Sequence, residues 1–361
     1  MSFDILPDFS ENNLAKRPIE LAETIPASWC TSQIFEDFDN ETIFSKTWQY
    51  VCSLDNLKNI GDYFLTNIAN KPIIVIKTNE KEVKAFYNVC KHRAGPLALK
   101  NGNCKLFKCK YHGWSYDLDG NLIATPEFDK VENFSKKDYG LTEIQINVWE
   151  NLIFVNLSKD ILDLNQFFSG IKERIAPIDL KTKKFHSRVE YLVDCNWKVY
   201  IDNYLEGYHL VHVHPSLSNL LDYQQYTTEI FDYYSLQYSP FKEGENIYSA
   251  SNGEAFYYFV FPNFMLNILP NRLQTNHIIP LAYNKTKIVF DYYYDDFVDS
   301  KIIDEDLKSS DIIQLEDIEI CEAVYKNLSS NVYEKGRFSV KRETGVHHFQ
   351  NLLRDFYQKK S

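Results

Sequence analysis

Two short segments combine cysteine with histidine at close spacing. The first holds Cys90 and His92, and the second holds Cys109 and His112. A glycine follows each pair within three residues, at Gly95 and Gly113. Thiolate and imidazole donors in such pairs suit either a zinc ion or an iron–sulfur centre. The residue types and their spacing therefore predict a metal centre built from two loops.

The two loops contribute one thiolate and one imidazole each. A Rieske [2Fe–2S] cluster takes two cysteines on one iron and two histidines on the other, and this pattern supplies both pairs. A zinc site of the Cys2His2 type is the alternative, with Cys104 as a further possible ligand. We expect the other cysteines to be buried thiols: Cys30, Cys52, Cys104, Cys195 and Cys321.

A second group of acidic residues and histidines lies further along the chain. We expect a helix over Trp197–Val213, on which Asp202, Glu206 and His209 would lie on one face. Imidazoles beside carboxylates are typical of metal sites. Two histidines and one carboxylate leave open positions on Fe(II) where O2 can bind. Taken alone, the pattern also fits histidines that bind no metal.

Two further histidines follow on the same segment. His212 would lie on a neighbouring face of the helix. His214 precedes Pro215, and a residue before proline disfavours helical geometry, so we expect His214 to leave the helix.

A third ligand is expected on a later helix, Asp311–Leu328. Asp317 stands apart from the polar stripe of this helix, and an ionised carboxylate on a buried face is costly unless it is paired or bound to metal. Asp317 is therefore the candidate. Its expected helical neighbours are apolar: Ile313, Ile320, Cys321 and Val324. The polar stripe consists of Glu316, Glu319, Glu322 and Lys326.

The composition of the chain excludes some classes of protein. The 361 residues, 44% of them hydrophobic, are enough for two domains. A net charge of −11 argues against a binder of nucleic acid or of anionic membranes. The odd count of 7 Cys favours a reducing compartment, and we expect a soluble cytoplasmic protein. Among 12 Gly there is no G-x-G, so we expect no dinucleotide-binding loop and no Walker loop.

The wider motifs resemble those of a known family. The strings Asn88–Leu97 and Cys109–Asp117 resemble the loops that bind a Rieske cluster, and the run from Glu206 to His214 matches the motif Asp/Glu-x-x-His-x-x-x-x-His. The chain thus resembles the catalytic alpha subunits of Rieske non-haem iron oxygenases, also called aromatic-ring-hydroxylating dioxygenases. The resemblance implies cluster ligands Cys90, His92, Cys109 and His112, and mononuclear-iron ligands His209, His214 and Asp317.

The resemblance also implies an α+β fold with two parts. Short apolar runs between Trp48 and Val155 predict an all-β module, and helices and strands follow it. We expect a helical N-terminal segment over 1–45 that packs on the catalytic domain. A Rieske [2Fe–2S] domain over 46–157 and a mononuclear-iron domain over 158–361 would follow. The second domain would be of the helix-grip (START-like) type, with an antiparallel sheet.

In this family, electrons pass between subunits. The resemblance implies a head-to-tail homotrimer in which Glu206 of one subunit bridges its own iron ligand His209 and the cluster ligand His112 of the next subunit. A carboxylate suits this role because it can accept an N–H from each imidazole. Electrons from NAD(P)H would arrive only through a separate flavin and iron–sulfur reductase. Each subunit would hold one [2Fe–2S] cluster and one Fe(II), and the reaction would consume O2.

The bridging acid indicates a substrate class. It is usually Asp, whereas Glu206 resembles the branch of the family that oxidises quaternary amines. We expect a small methylated amine, glycine betaine or choline before carnitine, with N-demethylation or aldehyde formation as the outcome. Tyr204 is a candidate for a cation–π contact with it. The alternatives are an arene-hydroxylating (di)oxygenase and, more distantly, a Rieske electron-transfer protein without catalysis.

Overall fold

The computed structural model describes residues 9–160, 162–214, 224–241 and 254–359. They form two compact units: one spans Phe44–Leu164, and the other joins Met1–Ile43 to Asn165–Ser361. The first boundary falls two residues before the predicted one, and the second falls seven residues after it. Pro215, to which we assigned the end of a helix, lies outside the described residues.

The unit Phe44–Leu164 is built from antiparallel strands. A seven-stranded sheet has the order β1-β10-β9-β4-β3-β2-β5, and a three-stranded sheet has the order β6-β7-β8. The strands are β1 Gln49–Ser53, β2 Asp62–Ile68, β3 Lys71–Asn79, β4 Glu82–Tyr87, β5 Gly102–Asn103, β6 Phe107–Lys108, β7 Ser115–Tyr116, β8 Leu122–Ala124, β9 Glu143–Trp149 and β10 Leu152–Asn156.

Strand β3 explains how the cysteine-bearing loops attach to this unit. Its four central residues, Ile73 to Ile76, are fully buried, because successive side chains point to opposite faces and both faces are covered. Ile73 and Val75 pack in one apolar cluster. Ile74 and Ile76 pack in another, which also contains the two loop cysteines, Trp114 and Tyr116. The loops therefore rest on one face of a rigid sheet.

The other unit contains a second seven-stranded antiparallel sheet, with the order β11-β17-β16-β15-β14-β13-β12. Its strands are β11 Lys184–Val193, β12 Thr227–Ile230, β13 Tyr234–Pro240, β14 Glu254–Val260, β15 Phe264–Leu269, β16 Arg272–Ala282 and β17 Lys285–Tyr294. The helices are α1 Glu11–Leu14, α2 Ser28–Thr31, α3 Gln33–Asp39 with a π-helical turn Asn40–Phe44, α4 Leu164–Phe168, α5 Ile171–Ile175, α6 Trp197–Tyr204, α7 Leu210–Val213, α8 Ser300–Leu328 and α9 Thr344–Gln358.

A buried ion pair joins three helices of this unit. The carboxylate of Asp39, at the end of α3, accepts hydrogen bonds from Lys198 on α6 and from the hydroxyl of Tyr357 on α9. The indole Nε1 of Trp197 donates to the same carboxylate over 2.9 Å. Lys198 is fully buried, and its ammonium also donates to the carbonyl of Trp29 over 2.9 Å. The N-terminal segment is thus anchored on α6 and α9.

The prediction of one helix over Trp197–Val213 is wrong, because the chain breaks between α6 and α7. The Glu206 side chain causes a new turn by accepting the backbone N–H groups of Tyr208 and His209. Gly207 packs so closely on the Tyr226 ring that a Cβ atom there would lie 2.7 Å from it. Asp202 consequently does not share a face with His209, and it accepts a 2.8 Å hydrogen bond from Gln350.

Helix α8 begins well before the predicted Asp311, because the Asp299 side chain caps its first turn. The expectation of an apolar face around Asp317 holds only in part. Cys321 is buried, but Val324 is 41% exposed because the last turns of the helix face solvent. Among the described residues, no helix is both long and apolar enough to cross a bilayer.

The cysteines form no disulfide. Four of the five that we assigned as buried thiols are buried: Cys30, Cys52, Cys195 and Cys321. Cys104 is an exception, since it is half-buried between two short strands at the edge of its unit.

Candidate metal centres and active-site cavity

The two cysteine–histidine loops have the same local fold. The Cys90 N–H donates to the carbonyl of Gly95, and the Cys109 N–H donates to the carbonyl of Trp114, each over 2.9 Å. Both loops thereby fold back on themselves and turn their cysteines inward. The cysteines are 2% exposed, whereas the histidines are half-buried. The rings of His92 and His112 lie together, with 4.5 Å between their centroids.

The surroundings of the loops fit a bound cluster. The Nδ1 atom of His92 is buried and has no hydrogen-bond partner among the described residues, as expected of a nitrogen that binds metal. Burial lowers the pKa of His92, helped by the charges of His112 and Arg93, which favours the neutral imidazole that metal binding requires. Gly95 leaves room for the cysteine of the other loop, since a Cβ atom there would lie 2.9 Å from the Cys109 Sγ.

His209, His214 and Asp317 come together in the other unit. One ligand atom from each side chain lies within 4.8 Å of the others, and no second group of three such residues occurs in the described part of the chain. The Oδ1 atom of Asp317 lies 3.0 Å from Nε2 of His214 and 3.8 Å from Nε2 of His209. Residues flanking the short helix α7 and a residue of α8 thus present two imidazoles and one carboxylate to a common point.

Each of these three side chains is hydrogen-bonded to a further polar side chain. The Nδ1 atom of His209 lies 2.6 Å from Oε1 of Glu206, and the Nδ1 atom of His214 lies 2.7 Å from Oε2 of Glu316. The amide of Asn203 donates to Oδ1 of Asp317 over 2.6 Å. Because a carboxylate accepts the Nδ1 proton, each ring presents its Nε2 lone pair to the common point. This is the arrangement found around metal-bound histidines.

Glu316 was not identified from the sequence, where it belongs to the polar stripe of α8. Burial by itself would lower the pKa of His214, but hydrogen bonds and charges from Asp317 and Glu316 outweigh it and raise the pKa. His212 is exposed and lies outside the group. No local sequence pattern shows that Glu316 reaches a histidine about 100 residues earlier, since only the fold brings them together.

A cavity of about 410 Å³ adjoins the three side chains. Helices α6 and α8 cover one side of it, and the sheet β11–β17 forms the other. Tyr204 lines the cavity, and its hydroxyl donates to the Oδ1 atom of Asn267 over 2.7 Å. The aromatic lining residues are Tyr200, Tyr204, Tyr226, Phe241, Tyr257 and Phe290.

The sheet presents a row of polar residues to this cavity. Gln237, Tyr257, Asn267 and Gln274 are direct partners across β13, β14, β15 and β16, and all four line the cavity. Arg272 and Asn276 flank Gln274 at alternate positions of β16 and point the same way. Sequence reasoning missed this row, although polar side chains at alternate positions of otherwise apolar strands are a signal that could have found it.

Comparison with known proteins identifies both units. A model of the Rieske [2Fe–2S] domain matches residues 47–135, and a model of the ring hydroxylating alpha subunit (catalytic domain) matches residues 180–359. The chloroplastic choline monooxygenase of Arabidopsis thaliana is 35% identical over 354 residues, which cover 94% of this chain and 84% of that protein. The chain belongs to the Rieske oxygenase alpha-subunit family.

Other Rieske oxygenases agree with this assignment. The carnitine monooxygenase oxygenase subunit of Escherichia coli K12 is 28% identical, covering 98% of this chain and 99% of that protein. A solved quaternary ammonium Rieske monooxygenase superimposes with a TM-score of 0.86 at 25% identity, covering 95% of this chain and 100% of the other. Naphthalene 1,2-dioxygenase from Rhodococcus sp. shares the fold, with a TM-score of 0.75 at 18% identity, over 93% and 94% of the two chains.

Several predictions made from the sequence are confirmed by these matches. The chain is an α+β protein with a Rieske domain and a catalytic domain, and it is a Rieske non-haem iron oxygenase. A Rieske domain implies a [2Fe–2S] cluster, and the catalytic domain implies a non-haem iron. These matches favour the Rieske cluster over the alternative zinc site in the two loops, and the oxygenase over an electron carrier without catalysis.

Proposed function

We propose that the chain is the oxygenase component of an enzyme that hydroxylates a quaternary or methylated amine. Cys90, His92, Cys109 and His112 would hold one [2Fe–2S] cluster in each chain. His209, His214 and Asp317 would hold one Fe(II), through the two histidine Nε2 atoms and the Asp317 carboxylate. The support is geometric: the latter donors lie within 4.8 Å of one another, and each histidine is oriented by a carboxylate.

The reaction inserts one oxygen atom into a C–H bond. The iron supplies the site at which O2 is reduced. O2, two electrons and two protons convert C–H into C–OH and release one water. If the hydroxylated carbon is an N-methyl group, the C–N bond breaks and formaldehyde leaves with the demethylated amine. If it is the alcohol carbon of choline, the resulting geminal diol loses water and gives the aldehyde.

The observation that carries the amine assignment is the lining of the cavity. Six aromatic side chains line it. An aromatic face attracts a permanent cation by about 0.5–2 kcal/mol. Tyr204 is placed for such a contact because its hydroxyl is held by Asn267 while its ring lines the cavity next to Asn203 and Glu206. The relatives named for choline and carnitine oxidation support the same class.

Glycine betaine and choline are the first substrates that we propose, followed by carnitine. An arene is less well supported as a substrate. A hydrocarbon offers no acceptor to the Nε2 atom of Gln314, a buried lining donor that has no hydrogen-bond partner among the described residues. A buried donor left without a partner costs free energy. Three structures of naphthalene 1,2-dioxygenase are 16% to 18% identical to this chain and share the fold alone.

Electron supply requires other chains in this proposal. Glu206 holds Nδ1 of His209 and would also accept a hydrogen bond from His112 of a neighbouring subunit, within a head-to-tail homotrimer. A separate reductase with flavin and iron–sulfur groups would deliver electrons from NAD(P)H. The related monooxygenase structure described for inter-subunit electron transfer supports this arrangement.

A turnover screen tests the proposed function. The iron-loaded full chain, with a surrogate reductase, NADH and O2, is offered glycine betaine, choline, carnitine, stachydrine and several arenes. We expect formaldehyde or an aldehyde that depends on one of the amines, identified by product mass. Dihydrodiols or phenols from an arene, with every amine inert, would show that Glu206 and the aromatic lining do not indicate the substrate.

A further inference from the structure

We propose that two polar features of the cavity decide which amine is oxidised, an inference that rests on the proposed amine substrate. Gln314 is a positioning residue that binds an uncharged oxygen in the tail of the substrate. The ion pair of Arg272 with Asp306 is a selectivity element that disfavours tails carrying a carboxylate. The preferred substrate is therefore a quaternary amino alcohol, as in choline, over a betaine.

Gln314 has an unused hydrogen-bond donor. Its side chain lines the cavity, and the residue is 2% exposed. The Tyr200 hydroxyl donates to the Oε1 atom over 2.6 Å and so fixes the orientation of the amide. The Nε2 atom is buried and has no hydrogen-bond partner among the described residues. Because a buried donor without a partner is costly, this position favours a ligand that brings an acceptor oxygen.

The position of Gln314 fits an oxygen close to the reacting carbon. It precedes Asp317 by three residues on α8, which is about 4.5 Å along the helix axis. Residues three apart lie on the same side of a helix, and both side chains line the cavity. In choline, the oxygen sits two carbons from the nitrogen. An oxygen held at Gln314 therefore keeps the alcohol carbon and the N-methyl groups near the iron ligands.

The ion pair joins Asp306, which lies nearer the start of α8 than Gln314, to Arg272 on β16. The Nη1 atom of Arg272 is 2.6 Å from the Oδ1 atom of Asp306, and the Tyr294 hydroxyl donates to the other oxygen over 2.5 Å. Asp306 precedes Asp317 by eleven residues, about 16 Å along the axis. Arg272 and Asp306 are 7% and 2% exposed, and both line the cavity.

The charges of the lining decide against a second anion. Arg272 is the one lysine or arginine among the described lining residues, and the carboxylate of Asp306 already balances its charge. Glu206 and Asp317 also line the cavity, but Glu206 holds His209 and Asp317 would bind the iron, so their charges are taken up at the proposed iron site. A quaternary ammonium group is favoured instead by the aromatic side chains of the lining. The carboxylate of a betaine would be desolvated without an unpaired cation to receive it, which is unfavourable.

The test of Gln314 compares choline with ethyltrimethylammonium, which has the same carbon skeleton but lacks the oxygen. With the iron-loaded full chain, we expect kcat/KM for choline to exceed that for the analogue by about tenfold or more. Gln314→Met should lower kcat/KM for choline about tenfold and change that for the analogue less than threefold. It should also shift the products of choline from aldehyde towards formaldehyde. Equal losses for both substrates would show that Gln314 has only a structural role.

The test of the ion pair compares choline with glycine betaine. Wild type should prefer choline, and Asp306→Asn, which leaves Arg272 charged, should raise the ratio of glycine betaine to choline in kcat/KM about tenfold. Asp291→Asn is the matched control, because Asp291 pairs with Arg188 over 2.6 and 2.7 Å but does not line the cavity. That control should leave the ratio unchanged. If Asp306→Asn does not fold, the double variant Arg272→Gln, Asp306→Asn must still prefer choline.

The outcomes separate this inference from the proposed function. A wild type that prefers glycine betaine or carnitine, and loses that preference in Asp306→Asn, would show that Asp306 orients Arg272 to bind a carboxylate. The inference would then be wrong while the amine assignment stands. Calorimetric titration of the same ligands gives the binding preference independently of turnover. If no amine is bound or oxidised by iron-loaded protein, both the inference and the proposed function are wrong.

Discussion

The Nδ1 atom of His214 lies 2.7 Å from the Oε2 atom of Glu316, the residue directly before Asp317 on α8. Two consecutive residues of one helix thus contact both nitrogens of one imidazole, since Asp317 lies 3.0 Å from Nε2. His209 is held in the same manner by Glu206. The proposed iron site therefore consists of three ligands and the carboxylates that orient two of them.

Removing the carboxylate behind His214 should weaken iron binding. In Glu316→Ala the imidazole loses the group that accepts its Nδ1 proton, and such losses typically reduce metal affinity about 10- to 100-fold. Chelator competition followed by iron analysis measures the effect, and the visible absorbance of the cluster should not change. Glu319→Ala, an exposed position of the same helix, is the control and should retain iron like wild type. Equal retention by both variants would contradict the role of Glu316.

Substitution of Glu206 should separate metal content from turnover. In Glu206→Gln an amide replaces the carboxylate beside Nδ1 of His209, and the side chain can still accept the backbone N–H of His209. We expect both metal centres to be present and steady-state turnover to fall at least 100-fold, because the acid no longer connects neighbouring subunits. Iron and sulfide analysis, reduction of the cluster by dithionite and product formation give the three readouts. Turnover equal to wild type would disprove the bridging role.

A single methyl group should prevent cluster assembly. In Gly95→Ala the added Cβ atom would meet the Cys109 Sγ at 2.9 Å, and that sulfur cannot move away while it serves as a ligand. We expect loss of most visible absorbance, with the iron of the other unit retained. Gly102→Ala is the control, because its nearest contact is the hydroxyl end of Tyr63 at 3.0 Å, which can swing aside. Full cluster content in Gly95→Ala would show that the cluster does not need this space.

Asp202 should make the protein less stable as the pH rises. Burial raises the pKa of its carboxyl to about 8, with Glu343 adding to the effect and the hydrogen bond from Gln350 opposing it. An unfolded aspartate has a pKa of about 3.9. The folded state therefore binds a proton between about pH 4 and pH 8 that the unfolded state does not bind. The free energy of unfolding falls through this window by up to roughly 1.4 kcal/mol per pH unit.

The variant Asp202→Asn tests this pH dependence. It keeps the size of the side chain and removes the titration, so it should be more stable than wild type near pH 8 and similar near pH 4. Thermal unfolding of both proteins across that range provides the comparison. Asp304→Asn, at an exposed position of α8, should follow wild type throughout. If Asp202→Asn and wild type change in parallel with pH, the carboxyl of Asp202 is ionised in the fold.

Some parts of the site were predictable because their chemistry is local. Cys90, His92, Cys109 and His112 stand within two short loops, and the loop backbones close on themselves through hydrogen bonds between near neighbours. His209 and His214 are likewise five residues apart. The donor atoms of such groups need little help from the rest of the chain to meet, so their spacing indicates the chemistry.

The helix over Trp197–Val213 shows where local reasoning fails. Its periodicity favours a continuous helix, yet Glu206 turns back to accept backbone N–H groups, and Gly207 packs against Tyr226 from beyond the helix. The break separates Asp202 from the histidines and points Glu206 at His209. A tertiary contact and a side-chain cap thus outweighed helix propensity.

The sequence by itself determined the family, the cluster loops, the pair of histidines and, through its place on a helix, the candidacy of Asp317. Only the tertiary structure decided that Glu316 supports His214, that the buried Nε2 atom of Gln314 has no hydrogen-bond partner among the described residues, and that Asp306 balances Arg272. The physical reason is distance along the chain. These partners are 34 to 114 residues apart or face an enclosed space, so only the packing of α8 against the sheet and α6 brings them together.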